Sequence, residues 1–184
     1  MTSANGVIVA NDTFADGERL SLALPDSATW LKAQSSTAVT VAPGSARFTW
    51  NTTSADMIAG YFSLAGSPVT LGVGDALTLS TTFAFTGLNP AGIAAPVPQL
   101  RFGVLDSKGS RPADNGATAN AAYVGDTGYG LFTPFSTIGG GTAFTLNRRT
   151  TITSNNIFNT GADFTTIASG GAPPASSPTT PTTS

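Results

Sequence analysis

The sequence predicts an all-β protein, an antiparallel β-sandwich of jelly-roll-like form followed by a disordered Pro/Thr/Ser tail. Three observations lead there. Apolar and polar residues alternate at period two in several short runs, which is the repeat of a strand with one buried face. Breaks carrying Gly, Pro or Asn recur between those runs, as turns require. Helix material is scarce. Charged residues make up 10% of the chain and Glu18 is its one glutamate, whereas charged residues are about 25% of an ordinary globular chain. Long solvated helices depend on Glu, Lys and Gln.

The elements follow in order. In GERLSLALP, Leu20, Leu22 and Leu24 share a face and predict a strand. Asp26 or Ser27 then offers a cap for a short helical turn over Ser27 to Lys32. SARFTWN predicts a strand with Ala46, Phe48 and Trp50 on one side and Arg47 and Thr49 on the other. ALTLSTTFAF predicts another, with Leu77, Leu79, Phe83 and Phe85 opposite Thr78, Ser80 and Thr82. Residues Thr86 to Pro98 and Arg111 to Ala121 read as long loops. Between them LRFGVLDSKGS reads as an inner strand that ends in a corner, with Leu100, Phe102 and Val104 on one face. AFTLNRR repeats the alternation through Phe144 and Leu146, and the adjacent Arg148 and Arg149 read as a solvated strand end. One apolar face and one Ser/Thr face suit an antiparallel sheet covered on one side.

Residues 1–169 are expected to form the sandwich. Residues 170–184 are expected to be a linker or tail, because GGAPPASSPTTPTTS has no charge and no large apolar side chain and cannot offset its chain entropy by burial. The chain holds 184 residues, enough to bury a core without disulfides or metal. It has no cysteine, so disulfide frameworks and thiolate metal sites are excluded. It has no histidine, which removes the Ser-His-Asp triad and nearly every zinc or copper site. With one glutamate and no paired-carboxylate motif, glycoside hydrolysis lacks its usual parts. A non-catalytic role is the expectation. The net charge is −2 and the isoelectric point about 4.7, so no basic face announces a nucleic-acid partner. No apolar run approaches the ~20 residues of a membrane span, and MTSANGVIVANDTF lacks the charged start of a signal peptide.

Two sets of residues are candidates for a site. Tyr123 and Tyr129 flank a Gly-Asp turn in AAYVGDTGYGLF. Their rings suit stacking on sugar, with Asp126 and Asn115 as hydrogen-bonding partners for hydroxyl groups. Asp106 and Asp114 stand in the loop after LRFGVL and offer carboxylates for calcium, which asks for six to eight oxygen ligands. The competing reading of that loop is turn chemistry, in which Asp and Asn bond their own backbone. The cofactor expectation is therefore none, with calcium as the alternative.

Several segments together resemble secreted bacterial β-sandwich modules of the concanavalin A-like (laminin-G-like) type. They are DTFADGERLSLALPDSATW, LGVGDALTLSTTFAFTGL, LRFGVLDSKG, GYGLF and NNIFNTGADFTTI, in that order over residues 11 to 168. The resemblance implies a jelly roll, an extracellular or cell-surface location, and recognition of a polysaccharide or surface glycan. It transfers no individual site residue. Such modules usually continue with further strands where this chain turns to Pro, Thr and Ser, so an incomplete sandwich associating through sheet edges is a further expectation. The alternative function is a structural or adhesion domain without a sugar site.

Overall fold

A computed structural model describes residues 6–32, 38–49, 57–64, 66–82, 99–116, 119–134, 144–157 and 163–170. Trp50, Phe83, Phe85, the whole Thr86 to Pro98 segment and residues 171–184 of the Pro/Thr/Ser tail lie outside them. The described elements are β-strands and one short 3-10 turn, so the chain is all-β. Eight strands are described: β1 (Thr29–Lys32), β2 (Ala38–Ala42), β3 (Ser45–Thr49), β4 (Ile58–Tyr61), β5 (Gln99–Asp106), β6 (Thr127–Pro134), β7 (Thr145–Arg149) and β8 (Phe164–Ser169). They make two two-stranded sheets, β1-β4 and β2-β3, and one four-stranded sheet in the order β5-β6-β7-β8. Among the described residues no helix is long and apolar enough to cross a membrane. The chain divides into two compact units. The first comprises Met1–Ala76, Asp106–Asp126 and Ile152–Thr160, and the second the remainder.

In the first unit β2 and β3 form a hairpin closed by Pro43 and Gly44, where Gly44 takes φ +83°. Val39 faces Phe48 and Val41 faces Ala46, and these four are the half-buried positions of an otherwise exposed pair. This is the alternation predicted for SARFTWN, meeting a partner of the same period. Strands β1 and β4 are antiparallel, with Trp30 directly opposite Gly60. The glycine is needed there. A Cβ at Gly60 would come within 2.8 Å of the Trp30 ring, so the indole lies flat across a strand that has no side chain at that point.

The segment ahead of β1 is held by polar side chains. Asp12 accepts hydrogen bonds from Phe14 N (2.7 Å), Ala28 N (3.0 Å) and Trp30 Nε1 (2.7 Å). Asp16 accepts from Glu18 N and from the Ser21 and Ser27 hydroxyls. Phe14, at φ +54°, packs its ring 5.8 Å from that of Trp30. This replaces the predicted strand at Leu20 to Leu24. Ser21 and Ser27 bond Asp16 instead of a ladder, Ala23 and Ser27 close a tight turn, and Leu20 is left 52% exposed. The helical turn expected over Ser27 to Lys32 is also absent, since Thr29–Lys32 is β1. Strand pairing with β4 outweighs a local cap.

The second unit contains the four-stranded sheet. Phe132 of β6 and Phe164 of β8 are buried on one face, ring centroids 5.1 Å apart and edge to face. The Arg101 guanidinium of β5 lies 4.6 Å over the Phe132 ring. Asn147, 3% exposed, donates to Thr145 O (3.0 Å) and accepts from the Thr166 hydroxyl (2.8 Å) at the point where the β7-β8 register shifts. A buried amide tied on both sides is compatible with a sheet interior. Among the described strands β5 stands at one end of the order, beside β6. Two expectations are corrected here. Residues Leu77 to Thr82 pair with no strand among the described residues, and Leu77 and Leu79 are 38% and 58% exposed. Arg148 and Arg149 are not both a solvated end. Alternation turns Arg149 inward to 3% exposure and leaves Arg148 outside.

Candidate functional site

The outer face of β6 and β7 carries the candidate site. Tyr129 and Leu131 stand two apart on β6 and share that face, 52% and 37% exposed. Gly130 and Phe132, between and beyond them, face the buried side. Leu146 of β7 lies opposite Leu131, and Arg148 lies opposite Tyr129. Together with Phe102, Gly103 and Val104 of β5 and the Leu79–Thr81 stretch, these residues line a groove of about 550 Å³. Its walls are mainly apolar, with Ser80, Thr81 and Tyr129 supplying hydroxyls. Gly103 and Gly130 put bare backbone into the lining. A planar ring on an open, mostly apolar sheet face can stack on the apolar face of a sugar ring while neighbouring hydroxyls bond its edge.

The other expected ligand residues are placed elsewhere. Tyr123 closes a 3-10 turn over Ala121–Tyr123, capped by the Asn120 side chain, which accepts from Ala122 N at 2.9 Å. It is 2% exposed and is the largest fully buried side chain described. The capped turn carries its ring into the interior of the first unit. Asp126 is 3% exposed and follows in the same turn, its N–H donating to Tyr123 O at 3.3 Å. Asn115 takes φ +61° and donates its backbone N–H to Lys32 O at 2.9 Å. Its role is that of a turn residue in left-handed backbone, which asparagine tolerates well. Tyr129 is thus the one member of the predicted set that stands on the groove.

Burial also decides what the interior tyrosines can do. Burial first, then the charge of Asp126, pushes Tyr61 up to about 12, with Arg111 pulling the other way. The Arg111 guanidinium lies 4.7 Å over the Tyr61 ring and donates to Ser63 O. Burial, then Tyr61 and Asp126, raises Tyr123 as well. A phenol held protonated in this way is a poor general base at neutral pH.

The two carboxylates considered for calcium each face a cation of their own chain. Asp106 accepts from Lys108 Nζ at 2.5 Å and from Lys108 N at 2.9 Å, and Lys108 lowers its pKa. Lys108 and Gly109, at φ +53° and +79°, make the corner expected after LRFGVLD. Asp114 forms a two-pronged pair with Arg19, both contacts at 2.8 Å, and accepts from Lys32 N at 3.0 Å. Among the described residues no three metal-capable side chains gather. The Arg19 hydrogen bond, followed by that from Lys32 N, holds the Asp114 carboxyl at about 2. A depressed carboxylate stabilises the fold above its unfolded pKa, and the contribution fades as pH falls through the folded one. We therefore expect Asp114→Asn to lower the urea midpoint at neutral pH. Its difference from the parent should shrink as pH falls from 3.8 toward about 2. A difference that stays constant down that range would show that the pair contributes no charge-dependent stability.

Comparison of the chain with protein-family models, with curated proteins and with solved structures finds no match. The reading of this site therefore rests on its own geometry.

Proposed function

We propose that this chain is a non-catalytic carbohydrate-binding module of the extracellular space or cell surface. Its two units would belong to a sandwich of the concanavalin A-like, jelly-roll kind. The observation that carries the reading is the solvent-facing Tyr129 ring on the groove over β5, β6 and β7. A stacked tyrosine flanked by serine and threonine hydroxyls provides affinity without any acid, base or nucleophile. The absence of histidine from the sequence and its single glutamate agree with binding in place of turnover. Both carboxylates considered for calcium are paired with cations, so binding is expected to proceed unchanged in a chelator.

The test is affinity electrophoresis of the intact chain against immobilised plant, algal and bacterial polysaccharides. At least one should retard it. Tyr129→Ala should weaken that interaction about tenfold, equivalent to ~1.4 kcal/mol, with an unchanged melting temperature. Folded protein that no polysaccharide retards would sink the proposal.

A second reading, a structural or adhesion domain, draws on a different observation. Leu77, Leu79, Leu131 and Ile167 are all exposed in the second unit. In addition, FTTIAS of β8 bears none of the charges or prolines with which edge strands commonly resist pairing. Concentration-dependent sedimentation without glycan binding would favour it.

A further inference from the structure

We infer that the groove selects an acidic glycan, a chain of sugar rings bearing carboxylate or sulfate groups. The inference rests on the carbohydrate-binding reading above and names its ligand class. It starts from the register of β6 and β7, which sets Arg148 directly opposite Tyr129. Both side chains are exposed. Directly opposed residues of an antiparallel pair stand on the same face with Cβ atoms ~4.5–5.5 Å apart. A sugar ring stacked on Tyr129 therefore carries its ring substituents toward the Arg148 guanidinium. Arg148 has no acidic partner among the described residues. A guanidinium presents parallel N–H groups that match a carboxylate or sulfate, a geometry that neutral hydroxyls use less well.

The distribution of charge points the same way. The chain carries a net −2, yet the unit that holds the groove contains Arg101, Arg148 and Arg149 against the single carboxylate of Asp163. The other unit holds all remaining acidic residues of the chain. Of the three, Arg148 is the one exposed to solvent, since Arg101 is half-buried over Phe132 and Arg149 is 3% exposed. An exposed cation beside an apolar-walled groove raises the local concentration of an anionic ligand. No carboxylate lines the groove to oppose this.

Matched pairs of polysaccharides test the inference with the intact protein. Dextran is compared with dextran sulfate, and methyl-esterified polygalacturonate with the free acid, each by titration calorimetry at two salt concentrations. The charged member of one pair should bind at least tenfold more tightly, and the pair that responds tells carboxylate from sulfate. Arg148→Gln should remove most of that preference and leave the melting temperature unchanged. Tyr129→Ala should weaken binding of the same polymer. Equal affinity for charged and neutral members, or a preference untouched by Arg148→Gln, would overturn the acidic class while leaving the carbohydrate reading in place. Polyanion binding indifferent to Tyr129→Ala would also overturn it, as adsorption without a site. Failure to bind either member of both pairs or any other glycan would overturn both readings.

Discussion

Replacing Asp12 with alanine should destabilise the first unit by about 3 kcal/mol, the scale expected when charge-assisted hydrogen bonds are lost from partly buried donors. One carboxylate serves three N–H groups, those of Phe14, Ala28 and the Trp30 indole. Ala28 is 2% exposed, so its N–H cannot turn to water when the acceptor is removed. The indole loses its anchor at the same time, and the ring that covers Gly60 becomes free to move. Asp12→Asn should lie between, since the amide keeps one acceptor oxygen. Urea unfolding followed by Trp30 fluorescence, in a Trp50→Phe background, measures both. A midpoint for Asp12→Ala equal to the parent's would show that the three bonds are replaceable by water.

Gly128→Ala should cost about as much, roughly 3 kcal/mol from combined overpacking and backbone strain. Gly128, the second residue of β6, takes φ +151°. A Cβ there would collide with the Val104 carbonyl oxygen and with Leu105, both on β5. The obstacle is backbone, so no rotamer change relieves it. Strand β5 must move away from β6, and Tyr129, the next residue, moves with the start of its strand. Ligand affinity should therefore fall together with stability, unlike the effect of Tyr129→Ala. Gly6→Ala, where an added methyl meets nothing within 4 Å, is the control. Gly128→Ala melting within a degree of the parent would mean that β5 and β6 do not meet as described.

What was legible in the sequence was whatever depended on period and punctuation alone. SARFTWN became β3 because its alternation and the Pro43-Gly44 break are complete local instructions, and Val39 and Val41 answer in kind. The same alternation misled at Leu20, Leu22 and Leu24. Period two says which side chains share a face, but not whether another strand lies alongside to accept the backbone hydrogen bonds. There the local alternative was a pair of aspartates bonding serine hydroxyls and backbone N–H groups, and no spacing rule announces such a network.

The site shows the same division. Tyr123 and Tyr129 look equivalent around one Gly-Asp turn, yet one is interior and the other is on the groove. The available signal was Asn120 ahead of Ala-Ala-Tyr, a capping residue that breaks the strand phase before Tyr123. Arg148 and Arg149 were read together as a solvated end, although period two places adjacent residues on opposite faces and so sends Arg149 inward. What the period could not supply was the identity of the neighbour across the ladder, and Tyr129 opposite Arg148 is a matter of register.

The register shift between Leu146 and Asn147 has a bearing on which changes in chain length this sheet can absorb. Asn147 links its own strand to Thr166, while Phe164, two positions earlier on β8, must reach Phe132. An insertion between Phe164 and Thr166 would force a choice, either the ring leaves its partner or the hydroxyl leaves the amide. At the far end of the strand Gly170 donates its N–H to Phe144 O at 3.0 Å and lies against the Phe144 ring, where no Cβ would fit. Point substitutions at the exposed positions of FTTIAS other than Thr166 are thus cheap for the fold, whereas a single added residue inside its first three positions is not.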